Sequence, residues 1–467
     1  MKRIISLILA VAMVFTFAVT ALSGCSISGG GKGSDDFVMP AGGFDTETPV
    51  TITFYHSMGA ALQDILEFAI SDFQALYPNV TVEHQYIGNY DAVRDQIKSE
   101  ITVGGQPNLA YCYPDHVALY NISGSVQTLD VFIEDETYGF TEEQLDDFIE
   151  GFYNEGKTFG DGKMYLLPLS KSTEVLYYNK TFFEENNLTV PTTWEEMEAV
   201  CRQIKAIKPN DIPLGYDSEA NWFITMCEQI GSGYTSAEGE NFLFDNAQNK
   251  EFVKEFRSWF DEGLVFTPAL MGAKYSSDRF TGAEKDGTRC YMSIGSTGGT
   301  TYQMPEQQNG KFEFEVGIAP IPQVNPAEPK VISQGPSICI FKDDNPQEVL
   351  ATWLFAKFLT TDVTFQASVS MNNGYTPVIK SVEDNPTYAE FLGKSGTANL
   401  TAYGVKVALE QANNYYTSPA FNGSSVARDQ VGLLLQKCLG EETDDLDAMI
   451  DKAFADAVAK CKYEAGQ

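Results

Sequence analysis

Residues 49–113 read PVTITFYHSMGAALQDILEFAISDFQALYPNVTVEHQYIGNYDAVRDQIKSEITVGGQPNLAYCY, and this stretch decides the fold class. Its short apolar runs predict strands at 50–55, 80–86 and 109–113. The segments between them place apolar residues at helical spacing, and Pro78 ends the first helix. Alternating strands and helices are typical of a parallel sheet covered by helices, so the stretch predicts an α/β fold.

The same alternation continues through the rest of the chain. Thr193 and Glu196 form a T-x-x-E capping box, which predicts a helix that runs to residue 208. The chain is too long for one ordinary core, so two domains are expected. Further strands are predicted at 164–169, 175–178, 212–216, 291–294 and, as one long strand, 331–341. Further helices are predicted near 141–152, 222–229, 250–261, 347–359 and 446–461.

The N-terminus has the features of an export leader. Lys2 and Arg3 precede an almost unbroken apolar run that ends in L-S-G-C at residues 22–25. A basic start, an apolar run and small residues at the end are typical of a secretory signal, and L-S-G-C resembles the bacterial lipobox. An ordinary signal peptide or a membrane anchor that happens to contain a cysteine is the alternative.

We therefore predict a signal peptide at 1–24, a lipidated Cys25 and a flexible Gly-, Ser- and Asp-rich tether to residue 48. No later run reaches the roughly 20 apolar residues that a membrane-spanning helix needs. The mature protein is thus expected to be held by lipid at the outer face of the bacterial cell membrane, without a segment that crosses it.

The charge of the chain argues against one class of partner. It contains 64 acidic and 31 basic residues, for a net charge of -33. Nucleic-acid binding requires clustered lysine and arginine, so a nucleic-acid partner is excluded. An acidic surface instead suits a soluble extracytoplasmic protein, because like charges oppose aggregation.

The cysteines and histidines indicate neither a metal site nor a cofactor. No cysteine pair has C-x-x-C spacing, and the three histidines lack ligand spacing. Most of the seven cysteines after Cys25 have apolar neighbours, which favours buried free thiols. A disulfide between Cys438 and Cys461 remains an alternative.

Six short segments carry a resemblance to a known family. They are FYHSM at 54–58, GNY at 88–90, LPLSKSTEVLYYNK at 167–180, MSIGSTGG at 292–299, SQGPS at 333–337 and NGYTP at 373–377. In this order they resemble the extracellular solute-binding proteins of ABC importers, in the group of maltose-type and sn-glycerol-3-phosphate-type binding lipoproteins. The resemblance implies a monomeric binding protein that is not an enzyme and that delivers a small polar solute to permease subunits.

The resemblance also implies the architecture. It is a two-lobed periplasmic-binding-protein-like fold with interleaved lobes and a central ligand cleft that closes on the solute. Lobe one would comprise residues 49–167 and 320–361. Lobe two would comprise residues 168–319 and 362–467.

The ligand-binding residues are expected where strands end, because open α/β sheets bind ligands there. A saccharide needs aromatic rings for its C–H faces and polar groups for its hydroxyls. By resemblance, the aromatic residues are Tyr90, Trp222 and Tyr375, and the polar contacts are Asp115 and Ser172. Ordinary core packing of the aromatic residues and helix capping by Asp115 are the alternatives.

Glycine-containing turns supply the remaining candidates. Ser296 and Thr297 follow a strand and precede two glycines, so their exposed N–H groups could hold a hydroxyl or an anion. A tight turn that requires glycine is the alternative. Gly335 would let a ligand approach the backbone closely.

The solute is predicted to be a mono- or oligosaccharide or a polyol. Relatives of the glycerol-phosphate type hold the phosphate with a late arginine, but residues 416–423 contain none. Arg428 is the nearest arginine and lies in a predicted helix, which lowers the expectation for sn-glycerol-3-phosphate or a related phosphodiester. A surface carbohydrate-active enzyme is a further alternative, although no catalytic motif is present.

Overall fold

The computed structural model describes residues 37–282 and 287–467. The predicted signal peptide and Cys25 lie outside the described residues. Within the described part, no helix has both the length and the apolar character needed to cross a bilayer. The strands among the described residues are β1 Val50–His56, β2 Val80–Tyr86, β3 Leu109–Cys112, β4 Leu167–Pro168, β5 Glu174–Asn179, β6 Leu214–Tyr216, β7 Val265–Phe266, β8 Met292–Ser296, β9 Gln307–Gln308, β10 Lys311–Phe312, β11 Val316–Pro320, β12 Val331–Ile332, β13 Ser337–Ile340 and β14 Tyr415–Tyr416.

The helices surround two five-stranded sheets. They are α1 Ala60–Leu76, α2 Tyr90–Ile101, α3 Pro114–Tyr120, α4 Asp130–Ile133, α5 Glu142–Asp147, α6 Glu150–Asn154, α7 Lys180–Glu185, α8 Trp194–Ile207, α9 Glu219–Ile230, α10 Ala247–Asp261, α11 Pro268–Met271, α12 Ser277–Thr281, α13 Pro346–Thr361, α14 Val363–Asn373, α15 Pro386–Leu392, α16 Leu400–Glu410, α17 Ser424–Gly440 and α18 Leu446–Glu464. Short 3₁₀ helices connect several of them, including Thr297–Gln303.

The first sheet has the strand order β2-β1-β3-β13-β4. Strands β1, β2 and β3 are parallel, and β13 pairs antiparallel with both β3 and β4. The burial of β1 alternates from Val50 onward, which is the two-residue period of a strand with one face in the core. Helix α1 covers this sheet because Leu66, Ala69, Ile70 and Phe73 form a buried stripe.

The second sheet has the order β11-β5-β8-β6-β7, with β5 antiparallel to both of its neighbours. Its core includes residues of β5, β6 and β8 together with helices α8, α9, α10, α17 and α18. Helix α8 begins with the predicted capping box. The Thr193 side chain accepts from the backbone N–H of Glu196, and the Glu196 carboxylate accepts from the backbone N–H of Thr193. Such a cap contributes about 1 kcal/mol.

The chain passes between the two sheets at several places, so the fold is two-lobed and interleaved. It leaves the first sheet after β4 and enters the second at β5, and it returns between β11 and β13. The crossing segments are tied together by paired backbone bonds of 2.9 and 2.8 Å between Ser172 and Gln334, and by bonds between Lys171 and Thr376. The residue boundaries predicted for the lobes stay a prediction.

The single strand predicted at 331–341 is wrong. The structure has β12 and β13 instead, and they join different sheets. The break falls at Gly335, whose φ of +88° is a left-handed backbone conformation that favours glycine. Apolar residues lie on both sides of the break, but residues 333–337 read SQGPS, and the Gly-Pro pair is a turn signal that the single-strand prediction passed over.

Candidate functional site

A cavity of about 340 Å³ lies between elements that follow the first sheet and elements that cover the second. Helices α2 and α3 form one wall, and helix α17 with one residue of α9 forms the opposite wall. The crossing segment after β12 and the loop before α17 close the ends. The charged lining residues are Asp91, Arg94, Asp115, Glu155, Arg428 and Asp429.

The first wall is built from helix starts that directly follow strands. Asn89 caps α2 by accepting from the N–H of Ala92 at 2.9 Å, which fixes Tyr90 in the first turn. Helix α3 begins with Pro114, so Asp115 also lies in a first turn, where the helix dipole stabilises a carboxylate. Both residues line the cavity at the carboxyl ends of parallel strands, as predicted for an open α/β sheet.

Tyrosine rings cover part of this wall. The ring centroids of Tyr90 and Tyr113 are 5.0 Å apart with an interplanar angle of 64°, and Tyr111 stacks behind Tyr90. Burial raises the pKa of Tyr90, Tyr113 and Tyr234 above the usual value for a phenol. The three hydroxyls therefore stay protonated at neutral pH and can both donate to and accept from a bound solute.

The carboxylates of the cavity are only partly balanced by cations. Arg94 pairs with Asp91 at 3.1 Å and reaches Ser425 on the opposite wall at 3.5 Å. Glu155 is buried and pairs with Lys171, whose ammonium lies beneath the cavity lining. Burial also raises the pKa of Asp429.

Arg428 lines the cavity from helix α17. Its guanidinium donates to the side-chain oxygen of Asn221, whose amide nitrogen donates to Glu174 at 2.9 Å. Among the described residues, Arg428 makes no ion pair. A guanidinium without a carboxylate partner at a cavity wall can bind an acceptor oxygen of a ligand.

Five buried polar atoms of the lining residues have no hydrogen-bond partner in the described part of the protein. They are His116 Nδ1, Tyr234 Oη, Thr235 Oγ1, Ser333 Oγ and Gln334 Oε1. Burial lowers the pKa of His116, so its imidazole is neutral at pH 7. A buried polar atom without a partner costs about 1–3 kcal/mol, so the lining residues keep unused hydrogen-bonding capacity.

The structure brings three of the eight predicted ligand residues to the cavity or to its edge. Tyr90 and Asp115 line it directly. Tyr375 adjoins it, because its hydroxyl lies 3.1 Å from that of Tyr90. The predicted ligand contacts themselves remain a prediction.

Four other predicted residues lie in the crossing segments or the turn after β8, and do not line the cavity. Ser172 is buried and pairs through its backbone with Gln334, a lining residue. Gly335 packs so closely that an added Cβ would lie 2.5 Å from a backbone oxygen, which leaves no room for ligand on that side. Ser296 caps the 3₁₀ helix, and Thr297 Oγ1 accepts from a backbone N–H, so both hydroxyls serve the fold.

Trp222 is placed in the core, away from the cavity. It is 3 % exposed and stacks on Phe256 with centroids 3.8 Å apart. Two residues along the same helix, Ile224 lines the cavity. Residues two positions apart in a helix are separated by about 200° around its axis, so Trp222 lies on the face of α9 opposite to Ile224. The tryptophan expected at the cleft is thus a packing residue.

Arg428 corrects the expectation that the late part of the chain offers no cation to the ligand. Residues 417–419 do border the cavity without an arginine, but α17 brings Arg428 to the same wall. Glu155, Tyr234 and Gln334 were also missed. Gln334 neighbours Gly335 within the SQGPS segment, which is a signal that could have indicated it, whereas Glu155 and Tyr234 lie in segments without a recognised motif.

All seven cysteines in the described residues are buried free thiols, as their apolar neighbours predict. They lie apart from the cavity lining. The site is therefore built from oxygen and nitrogen groups and aromatic rings.

Comparisons with known proteins agree with this architecture. The chain is 23% identical over 351 residues to the sn-glycerol-3-phosphate-binding periplasmic protein UgpB of Escherichia coli strain K12, covering 73% of this chain and 77% of that protein. Among solved structures, the cyclic alpha-maltosyl-1,6-maltose binding protein from Arthrobacter globiformis matches with a TM-score of 0.69 at 18% identity, covering 89% of this chain and 100% of the other. UgpB from Mycobacterium tuberculosis in complex with glycerophosphocholine matches with the same TM-score and identity, covering 89% and 98%.

The family model described as "Bacterial extracellular solute-binding protein" matches residues 69–391, which include every strand of the two five-stranded sheets except β1. The match covers well over half of the chain, and the solved structures share its two-lobed fold. The chain belongs to the bacterial extracellular solute-binding proteins.

Proposed function

We propose that the cavity binds a neutral carbohydrate of mono- or disaccharide size, or a polyol, and that the chain delivers this solute to membrane permease subunits. As a member of its family, the chain is a solute-binding protein of an ABC importer. The observation that carries the proposed ligand class is the set of five unpartnered polar atoms among the lining residues. A small molecule with several donors and acceptors, such as a sugar, could use this hydrogen-bonding capacity.

The size and charge of the cavity support this ligand class. Its 340 Å³ is near the lower end of the roughly 300–1,000 Å³ typical of ligand pockets, which favours one or two sugar rings. The lining contains four carboxylates and two guanidinium groups. An excess of negative charge disfavours a dianion, whereas hydroxyls can donate to the carboxylates and accept from the arginines.

Solute capture would proceed by closure of the two lobes. A ligand that contacts α2 and α3 on one side and α17 on the other binds the closed form better, and so shifts the population toward it. We propose that residues 49–167 with 320–361 and residues 168–319 with 362–467 are the lobes. The protein would act as a monomer, held through a lipidated Cys25 at the outer face of the cell membrane.

A thermal-shift screen tests the proposed ligand class. Maltose, glucose, trehalose, glycerol and sorbitol are compared at millimolar concentration, and binding of any hit is then measured by calorimetry. Asp115→Asn should weaken binding of the hit at least tenfold. The change removes the negative charge and replaces one of the two acceptor oxygens by an NH₂ donor, so the side chain can no longer accept from two hydroxyls.

The matched control is Asp72→Asn, an exposed carboxylate on α1 far from the cavity. It makes the same chemical change and should leave affinity unchanged. Saturable binding that is equal in wild type and Asp115→Asn would contradict the assignment of this cavity. The same sugars should also be recovered unaltered after incubation, since we propose a binding protein without catalytic activity.

A glycerophosphodiester is the second candidate, favoured specifically by Arg428. Its guanidinium lines the cavity without an ion pair among the described residues, and could hold a single negative charge. The solved relative in complex with glycerophosphocholine shares the fold. Stabilisation by glycerophosphocholine or sn-glycerol-3-phosphate, with no response to any sugar, would favour this candidate over the first.

A further inference from the structure

Arg428 is held by a buried chain of polar groups that runs from the cavity wall into the core of the second lobe. Its guanidinium donates to Asn221 Oδ1, and Asn221 Nδ2 donates to Glu174 Oε1 at 2.9 Å. The other carboxylate oxygen of Glu174 accepts from Tyr216 at 2.6 Å. Glu174, Tyr216 and Asn221 are 1, 0 and 4 % exposed, so water contributes little to these bonds.

The order of the groups explains the presence of an amide. A carboxylate beside Arg428 would form a direct ion pair and take up the donors of the guanidinium. The amide of Asn221 separates the two charges, with its oxygen toward the cation and its nitrogen toward the anion. This arrangement fixes the orientation of Arg428 and leaves its other N–H groups for a ligand.

We propose that Asn221 and Glu174 are positioning residues that hold the Arg428 guanidinium toward the cavity, where it binds an acceptor oxygen of the solute and contributes to its selection. The inference rests on the proposed function, because it assigns the solute to this cavity. It covers either ligand class, since a sugar hydroxyl and a phosphodiester oxygen both accept from a guanidinium. Neither Asn221 nor Glu174 touches the solute in this scheme.

The chain of bonds depends on the ionisation of Glu174. Burial raises the pKa of Glu174 to about 7, against the lowering effect of the bonds from Tyr216 and Asn221 and of the Arg428 charge, while Asp217 adds to the rise. Tyr416 also faces this group, and its own pKa is raised by burial and by Glu174. Protonation would weaken the acceptor for Asn221, so solute affinity should fall as the pH drops through 7.

The experiment measures affinity for maltose and for glycerophosphocholine by calorimetry between pH 5.5 and 8.5. Wild type should bind its preferred probe at least threefold more tightly at pH 8.5 than at pH 5.5. Glu174→Gln keeps the volume and an acceptor oxygen but cannot ionise, so its affinity should be lower at pH 8.5 and should lose this pH dependence. Asn221→Leu should weaken binding about tenfold at pH 8.5.

Glu228→Gln is the matched control. It is the same change on helix α9, at a partly buried carboxylate whose pKa burial also raises, but which faces Lys330 rather than the cavity. Its affinity and pH profile should match those of wild type. A Glu174→Gln protein with the wild-type affinity and pH profile would overturn the inference.

A ligand-free measurement keeps the inference testable if neither probe binds. Phenylglyoxal modifies guanidinium groups, and peptide mass spectrometry gives the rate at Arg428 alone. At pH 8, Glu174→Gln and Asn221→Leu should change this rate at least threefold, with Arg94 in the same cavity as the internal reference. An unchanged Arg428 rate in both variants would refute positioning. If positioning holds while Asp115→Asn leaves binding intact, the proposed solute site alone has failed.

Discussion

Replacement of Lys171 by methionine should destabilise the whole fold, because it leaves a carboxylate buried without its partner. Lys171 is fully buried in a crossing segment, and Glu155 beside it is 2 % exposed. The ammonium also donates to Ser337 Oγ at 2.8 Å, and this hydroxyl donates to Glu155 at 3.1 Å. Methionine is unbranched like lysine and one heavy atom shorter, but it satisfies none of these groups.

The expected loss follows from burial. Removing one partner of a buried ion pair costs about 3–5 kcal/mol, because the remaining charge has neither water nor a counter-ion. Unfolding entropies near 2 cal/mol/K per residue, over a folded chain of about 430 residues, convert this loss to a decrease in Tm of roughly 3–6 °C. Glu155→Gln should lose a similar amount of stability, since it leaves the Lys171 ammonium buried without a carboxylate partner.

Differential scanning calorimetry of Lys171→Met, Glu155→Gln and the double variant measures both the loss and the coupling. The double variant should lose less than the sum of the single variants, because neither charge is left alone. Lys460→Met is the control, since Lys460 pairs with Glu464 on an exposed face of α18, and its Tm should stay that of wild type. A Lys171→Met protein within 1 °C of wild type would show that this pair is not desolvated, and would refute the reasoning.

Three further changes test other parts of the fold. Gly335→Ala should lower the free energy of unfolding by about 2 kcal/mol or more in urea titrations, since its Cβ would lie 2.5 Å from a backbone oxygen. The control is Gly124→Ala, which also has a positive φ of +70° but has open space around the new Cβ, and it should lose only about 1 kcal/mol. Trp222→Ala should cost about 3–5 kcal/mol by the same titration and leave solute affinity near wild type, because the ring packs in the core; a stable protein that cannot bind would restore its predicted ligand role. Burial, with the charge of His84, lowers the pKa of His56 to about 4 from 6.5. The stability that the neutral imidazole contributes is therefore complete above pH 6.5, and about 2 kcal/mol of it should be lost by pH 5. His56→Gln should remove this part of the pH dependence, and an equal slope of unfolding free energy against pH in both proteins would contradict it.

The α/β class of the fold was predictable because strand and helix patterns alternate regularly along the sequence. Strands β1, β2 and β3 and the capping box at Thr193 were found within a few residues, since each rests on neighbours along the chain. The break at Gly335 was missed because the apolar residues on its two sides were joined into one strand across SQGPS, although Gly-Pro is a turn signal, and β12 and β13 pair with different partners. Trp222 was expected at the cleft by resemblance, which does not reveal which way helix α9 faces.

The sequence by itself determined the α/β pattern, and its resemblance to a known family indicated two residues of the cavity wall, Tyr90 and Asp115. The pattern depends on residue order along the chain, and both residues lie in segments that follow a strand, where local structure fixes their place. The tertiary structure alone decided that Glu155, Gln334 and Arg428 meet around one cavity. They come from segments far apart in the chain, and their juxtaposition depends on how the crossing segments and α17 pack, which no local spacing encodes.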